Sequence, residues 1–114
     1  MLLIRAEQLK MFRRWQLQQF EDKMALHLRE RFAGRPEVEN DGPLRSMIQS
    51  GRELARKFGV VHEPDVRIFL ELMTEYGADF HALPWAAKIL SDATLSGAGR
   101  IERLDDHSLF VVRP

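Results

Sequence analysis

Few residues of this 114-residue chain have the types and the spacing that catalysis or metal binding requires. Four histidines are present, and none forms the i, i+4 pair with a carboxylate that a zinc-binding helix needs. The nearest approach to a metal or acid–base pair is Asp79 with His81, two residues in an expected turn. We interpret Asp79 as a turn cap and His81 as a surface residue, and we predict no metal site.

Other catalytic patterns are also incomplete. The chain has no cysteine, and no serine stands in a nucleophile-elbow setting. The segment Gly97-Ala98-Gly99 is too short for a phosphate-binding loop and lacks its lysine. Glu71 and Glu75 lie one helical turn apart, but nothing nearby desolvates either carboxylate, so we interpret them as a solvated acidic face. We therefore predict that the protein is not an enzyme and that it needs no cofactor.

Composition indicates an ordinary globular protein. Hydrophobic residues make up 45% and charged residues 30% of the chain, which is long enough for one modest core, so we expect a single domain over residues 1–114. The start MLLIRAEQL has only three apolar residues between Met1 and Arg5, so no signal peptide is expected. No apolar run approaches the roughly 18 residues of a membrane span. Together with the absence of cysteine, these features favour a cytoplasmic protein without a membrane partner.

The distribution of charge separates the two halves of the sequence. Residues 1–58 carry 12 Lys/Arg against 8 Asp/Glu, whereas residues 59–114 carry 5 against 9. The halves are either simply solvated or available for docking onto oppositely charged surfaces. Because the whole chain is neutral, with a pI near 6.9, a nucleic-acid partner is not expected.

The first predicted helix runs from about Glu7 to Phe32 and ends at Gly34, a left-handed cap. Its main apolar stripe is predicted to face the core and consists of Leu9, Phe12, Phe20, Met24, Leu28 and Phe32. At about 100° per residue, a second and thinner apolar line lies on the opposite side, formed by Ile4, Met11, Trp15 and Leu26. This second line is the first candidate for a binding surface.

The rest of the chain also contains residues that typically start and stop helices. Residues 33–42 are predicted to be a loop, and a second helix opens with Asp41 as its cap and stops at Gly59. Gly51, in the middle of this helix, is explained either by a close helix crossing or as a loss of helix stability that the protein tolerates. A third helix from Pro64 to before Gly77 is apolar on most sides and is predicted to be central. A short helix from Trp85 to about Ala93, a flexible stretch over 96–99 and one helical turn over 101–104 follow. The tail 108–112 has strand composition, so the sequence predicts an all-α, single-domain bundle of four to five helices with a short extended C-terminal tail.

Exposed apolar residues are the remaining functional signal. Tryptophan is enriched at the energetic centres of protein interfaces, so Trp15 and Trp85 are candidates, although either could equally pack in the core. We predict that a protein partner binds at Met11, Trp15, Leu26 and Trp85, with Arg14 as a charge at the rim. The same apolar line could serve a homodimer.

The order of residues resembles that of small helical proteins encoded beside type VI secretion spike proteins and effectors in Gram-negative bacteria. The similarity extends from Ile4 to about Leu104. It is carried by Ile4-Arg5-Ala6-Glu7-Gln8-Leu9, Phe20-Glu21-Asp22-Lys23-Met24, His27-Leu28, Phe58-Gly59-Val60, Glu63, Asp65-Val66, Leu72-Met73, Gly77, Asp79-Phe80 and Pro84-Trp85-Ala86.

The resemblance implies a cytoplasmic accessory protein, an adaptor or co-chaperone, that binds an effector or the chaperone that loads the effector onto the spike. It transfers no catalytic residue. The alternative is an immunity protein that neutralises a cognate toxin. An immunity protein against a nuclease would need a concentrated acidic surface, for which the candidates are Glu63, Asp65, Glu71, Glu75 and Asp79.

Overall fold

Helices form nearly all of the regular structure in the computed structural model, which describes residues 5–112. Ile4, part of the second apolar line and of the resemblance, lies outside the described residues. Six α-helices, one 3₁₀ turn and one π-helical turn occur over residues 5–112, and no strand is formed there, so the predicted all-α class is confirmed. Their bounds are α1 Ala6–Arg31, α2 Pro36–Glu39, α3 Asp41–Lys57, α4 Glu63–Tyr76, the 3₁₀ turn Phe80–Ala82, α5 Pro84–Leu90, α6 Gly97–His107 and the π-helical turn Ser108–Val112.

The chain forms two compact units, the first ending at Arg45 and the second beginning at Ser46. The first unit is dominated by α1, whose 26 residues include no glycine, proline or β-branched residue. Such a sequence favours helix throughout, whether or not a neighbouring element packs on it. The backbone N–H of Arg5 donates to the Gln8 side-chain oxygen at 3.0 Å and so fixes the start of the helix.

Only the C-terminal part of α1 contributes to a core. Met24, Leu28 and Phe32 of the predicted stripe are buried and Phe20 is half-buried, as expected. Leu9 and Phe12 were also predicted to face the core, and this is wrong, because both are exposed and every residue from 6 to 19 is exposed. Periodicity identifies the face of a helix that is apolar, but it does not show how far along the helix packing continues.

A short helix interrupts the predicted loop after α1. Gly34 has a φ of 89°, the left-handed conformation predicted for it, but the cap residue of α1 is Phe32. Pro36 then begins α2, whose Val38 is buried, and Arg29 of α1 donates through Nε to the Val38 carbonyl at 3.3 Å. Proline in the first turn of a helix has no backbone N–H to satisfy, which makes so short a helix possible here.

An ion cluster fixes the start of α3 within the first unit. Arg45 donates through Nη1 to Asp22 at 2.7 Å and through Nε to Asp41 at 3.1 Å, and Arg29 donates to Asp41 at 2.5 Å. Hydrogen bonds from Arg45 and from Gln18 lower the pKa of Asp22, and hydrogen bonds from Arg29 and then Arg45 lower the pKa of Asp41. Asp41 was predicted to be the cap before this helix, but it is the first helical residue, and the Leu44 N–H donates to the Asn40 carbonyl before it. The Asp41 carboxylate instead anchors two arginines.

The second unit is built around α4, as predicted for the helix that is apolar on most sides. Six of its fourteen residues are buried, namely Val66, Phe69, Leu70, Leu72, Met73 and Thr74. Gly51 of α3 lies against it, and a Cβ at that position would come within 2.5 Å of Leu70 Cδ2 and 2.7 Å of Met73 Sδ. Of the two explanations for this glycine, the close helix crossing is therefore confirmed.

Helix α6 is longer than predicted because contacts within the second unit organise its start. The stretch 96–99 is not a flexible linker, since Ser96 Oγ caps the helix by accepting from the Gly99 N–H at 3.0 Å. Gly97 lies so close to the Gly59 carbonyl that a Cβ would overlap it. Arg100 then donates to the Phe58 carbonyl at 2.7 Å and to the Asp92 carbonyl at 3.1 Å. The Arg100 side chain therefore joins the loop after α3, at Phe58, to the loop after α5, at Asp92.

The prediction of an extended tail is wrong for residues 108–112. They continue α6 as a π-helical turn, in which Ser108 is fully buried and its hydroxyl lies 2.8 Å from the Tyr76 hydroxyl. The β-branched and aromatic composition of this segment indicated a strand. Because Ser108 is anchored within the second unit, the chain keeps a helical path there. Helix α5 is also shorter than expected, since the turn at Asp92, which accepts from the Thr94 N–H at 2.9 Å, follows it.

Candidate protein-binding surface

The first candidate surface is a group of three apolar side chains in the exposed half of α1, which we name the α1 aromatic face: Met11, Phe12 and Trp15. Their side chains are 68%, 54% and 57% exposed, respectively. The Phe12 and Trp15 rings stack, with centroids 6.1 Å apart and an interplanar angle of 22°. Exposed apolar residues are common singly, but an exposed stacked aromatic pair beside a methionine is typical of an interaction site.

Basic residues occupy the side of α1 that lies away from the α1 aromatic face. Lys10, Arg13 and Arg14 are exposed, and no acidic residue occurs between Gln8 and Phe20. At about 100° per residue, these three charges fall on one side of the helix and the three apolar residues on the other. Arg14 follows Met11 by three residues and so lies one turn away on the helix surface, and its role as a rim charge stays a prediction. The exposed half of α1 is thus basic, and the exposed Leu9 and Leu17 lie outside the α1 aromatic face.

Leu26 is exposed to 60% but does not extend the α1 aromatic face directly. It lies on the same side of α1 as Trp15, three turns and about 16 Å further along the helix. The exposed, ion-paired Asp22 and the exposed Gln19 occupy the same side between the two residues. Leu26 is therefore a separate apolar position, and a partner that contacts both would have to span the polar segment.

Trp85, the other tryptophan candidate, belongs to the second unit and is half-buried. Its ring stacks on His107 with centroids 4.9 Å apart and an interplanar angle of 11°, and it meets the edge of Tyr76 at 5.6 Å. These contacts join the end of α4, the start of α5 and the end of α6. Trp85 therefore has a packing role in its own unit, and a role in partner binding stays a prediction.

Two features of the surface were missed by sequence reasoning. Phe12 was assigned to the core, although its i, i+3 spacing from Trp15 identifies the pair. The second feature is a run of four exposed apolar residues, which we name the C-terminal apolar turn: Leu109, Phe110, Val111 and Val112. The sequence signal for this turn is an uninterrupted apolar run that follows a charged helix. Its composition instead indicated a strand.

The acidic residues proposed for an immunity surface do not form one open patch within the second unit. Glu63 and Asp79 are exposed, whereas Asp65, Glu71 and Glu75 are half-buried. The Glu71 carboxylate also lies 3.9 Å from the Arg67 guanidinium. Partial burial and pairing both reduce the negative charge that this side presents to a basic partner.

His81 differs from its prediction as a surface residue. It is half-buried against Phe58, with ring centroids 6.4 Å apart, and its Nδ1 has no hydrogen-bond partner among the described residues. Over residues 5–112 no three histidine or acidic side chains gather as a metal site would require. His81 therefore packs beside an aromatic ring.

Neither a family model nor a curated protein nor a solved structure matches this chain. Within residues 5–112, no helix combines the length and the apolar character that crossing a membrane requires. The surface chemistry of the chain therefore carries the functional interpretation.

Proposed function

We propose that this protein is a non-enzymatic accessory factor, an adaptor or co-chaperone, that binds a type VI secretion effector or the effector's chaperone in the cytoplasm. The binding surface in this proposal is the α1 aromatic face, with Arg14 at its rim. The single observation that supports it most is the stacked pair Phe12 and Trp15, each more than half exposed.

The mechanism is burial of apolar surface on a preformed helix. α1 needs no partner to become helical, because its composition favours helix along its whole length. Little conformational entropy is then lost on binding, and the burial of two aromatic rings contributes directly to affinity. Lys10, Arg13 and Arg14 would orient an acidic partner during the encounter. A groove lined with apolar and acidic side chains is the complementary surface for such a helix.

The proposal is tested by co-expression with the effector encoded in the same gene cluster. We expect the wild-type chain to co-purify with the effector and to raise its soluble yield. Trp15→Ala should reduce co-purification about 30-fold, as for a typical interface anchor, without unfolding the protein. Val61→Ala is the matched control, since Val61 is 61% exposed and lies in the second unit.

The same experiment separates the alternatives. If the chain protects cells from the effector's toxicity without changing its solubility, it is an immunity protein rather than a co-chaperone. If Trp15→Ala binds as tightly as the wild type, the α1 aromatic face is not the binding surface. Equal losses for Trp15→Ala and Val61→Ala would mean that binding depends on general hydrophobicity, which also contradicts the proposal.

A further inference from the structure

The C-terminal apolar turn is the second exposed apolar surface of the chain, and the proposed function leaves it unexplained. Phe110 is 74% exposed and Val111 63% exposed, the largest values among its four residues. The preceding residue, Ser108, is fully buried and bonded to Tyr76, so the turn is held in place at its base. A fixed, exposed aromatic residue beside three aliphatic ones is suited to docking rather than to packing within its own unit.

Acidic residues stand beside this turn. Glu102 and Asp106 of α6 are exposed and lie one turn apart, and Asp106 precedes Phe110 by four residues. Asp105 is half-buried and precedes Leu109 by the same interval. Arg103 is also exposed between these acids, so the neighbours of the C-terminal apolar turn are net acidic, whereas the α1 aromatic face has Arg14 at its rim. The two surfaces have matching apolar character and opposite charge.

We infer that two copies of this protein associate head to tail, with the α1 aromatic face of one copy seated on the C-terminal apolar turn of the other. Like-with-like pairing is disfavoured, because two α1 faces would bring the rim residue Arg14 of both copies together, and two C-terminal turns would bring Glu102 and Asp106 together. Unlike pairing buries Trp15 and Phe110 and places opposite charges at the rim.

This association requires no other protein, so it does not depend on the proposed function. If both hold, an effector and a second copy compete for the same face of α1. The α1 aromatic face that contacts a second copy then stays covered until a partner displaces that copy. Failure of one proposal leaves the other intact, because self-association is measured on the purified chain alone.

Sedimentation velocity on the purified protein tests the inference. We expect the average mass of the wild type to rise with concentration and the rise to weaken in high salt, which screens rim charges. Trp15→Ala and Phe110→Ser should each weaken self-association about 30-fold, since each removes an aromatic anchor. An equimolar mixture of the two variants should regain association, because each retains the surface that the other lacks. The control is a mixture of the wild type with Val61→Ala, which should associate as strongly as the wild type alone, because Val61 lies outside both surfaces.

Several results would overturn the inference. A wild type that stays monomeric at all concentrations contradicts it directly. Loss of association in Trp15→Ala but not in Phe110→Ser means that two α1 faces pair with each other. A mixture that stays as monomeric as its separate components excludes the head-to-tail arrangement. If the monomer instead binds anionic phospholipid vesicles, shown by a shift of Trp15 fluorescence in a Trp85→Phe background, the basic aromatic face serves a lipid surface.

Discussion

Trp15 stacks on Phe12, one helical turn earlier in α1, and more than half of each side chain remains open to solvent. Two aromatic rings in contact with each other contribute far less to folding than two rings in a core, because most of their apolar area stays hydrated. Their presence in this exposed pair is therefore better explained by an interaction with another molecule than by the stability of the chain.

The first prediction concerns stability at the α1 aromatic face. Trp15→Ala should change the free energy of unfolding by less than about 0.5 kcal/mol. An exposed i, i+3 contact on a helix contributes only a few tenths of a kcal/mol to stability. Leu28→Ala, at a fully buried position of the same helix, should lower it by about 2–5 kcal/mol. Urea denaturation followed by circular dichroism measures both. A large loss in Trp15→Ala would mean that its ring is part of the core.

A second prediction concerns two glycines of the second unit. Gly97→Ala should destabilise the protein more than Gly51→Ala. The new Cβ at Gly97 meets the rigid Gly59 backbone, whereas that at Gly51 meets the ends of the Leu70 and Met73 side chains. We expect a loss of about 3 kcal/mol or more at Gly97 and about 1–2 kcal/mol at Gly51, where the gain in helix propensity offsets part of the overpacking.

Gly42 provides the matched control for the glycine series. It lies in the first turn of α3, and a Cβ there has no neighbouring atom within 4 Å. Gly42→Ala should leave stability unchanged or raise it by about 0.5 kcal/mol. Thermal unfolding of the three variants gives the order of stability directly. The reverse order for Gly51 and Gly97 would contradict the close approach of Gly97 to Gly59.

A third prediction concerns the hydrogen bond that holds the base of the C-terminal apolar turn. Tyr76→Phe removes one partner of the 2.8 Å contact with the buried Ser108 hydroxyl and should cost about 0.5–1.5 kcal/mol. A double-mutant cycle with Ser108→Ala measures the interaction itself. A coupling energy near zero would show that the two hydroxyl groups act independently and that the turn is not anchored there.

A fourth prediction concerns acid sensitivity. Arginine hydrogen bonds lower the pKa values of Asp22 and Asp41 below the ordinary 3.8, so the folded chain favours the ionised carboxylates. Their contribution to stability is therefore present above about pH 4 and is lost as the pH falls through the lowered values. Asp22→Asn with Asp41→Asn should flatten the fall in stability below this pH. Asp79→Asn, at an exposed aspartate of the second unit, should not. The free energy of unfolding is measured against pH for the wild type, the double variant and Asp79→Asn. If all three curves run parallel, the proposed role of the Arg45 cluster is contradicted.

Local sequence signals identified most of the helices. Start and stop residues such as Pro64 and Gly77 act through backbone geometry, so they predicted α4 within one residue at each end. The start of α6 was missed because its cap, the Gly97–Gly59 approach and the Arg100 hydrogen bonds join residues distant in sequence. Tertiary contacts of this kind override weak local propensity, and a single sequence does not contain them.

The candidate surface was predicted only in part. Met11 and Trp15 are exposed, in agreement with their assignment by helical period to the side of α1 away from the core stripe, and their role in binding stays a prediction. The assignment of Phe12 to the core failed because the period gives direction around a helix and not the length of the packed region. The C-terminal apolar turn was missed because its composition favours strand, and the buried contact of Ser108 that keeps it helical is made with Tyr76, 32 residues earlier.

Hydrogen–deuterium exchange of α1 tests the central claim most directly. In the free protein at low concentration, amides of residues 8–19 should exchange faster than those of α4, because no side chain of that segment is buried. Addition of the effector that we propose as its partner should slow exchange there and leave α4 unchanged. If residues 8–19 exchange at the same rate with and without a bound effector, the α1 aromatic face is not where this protein binds.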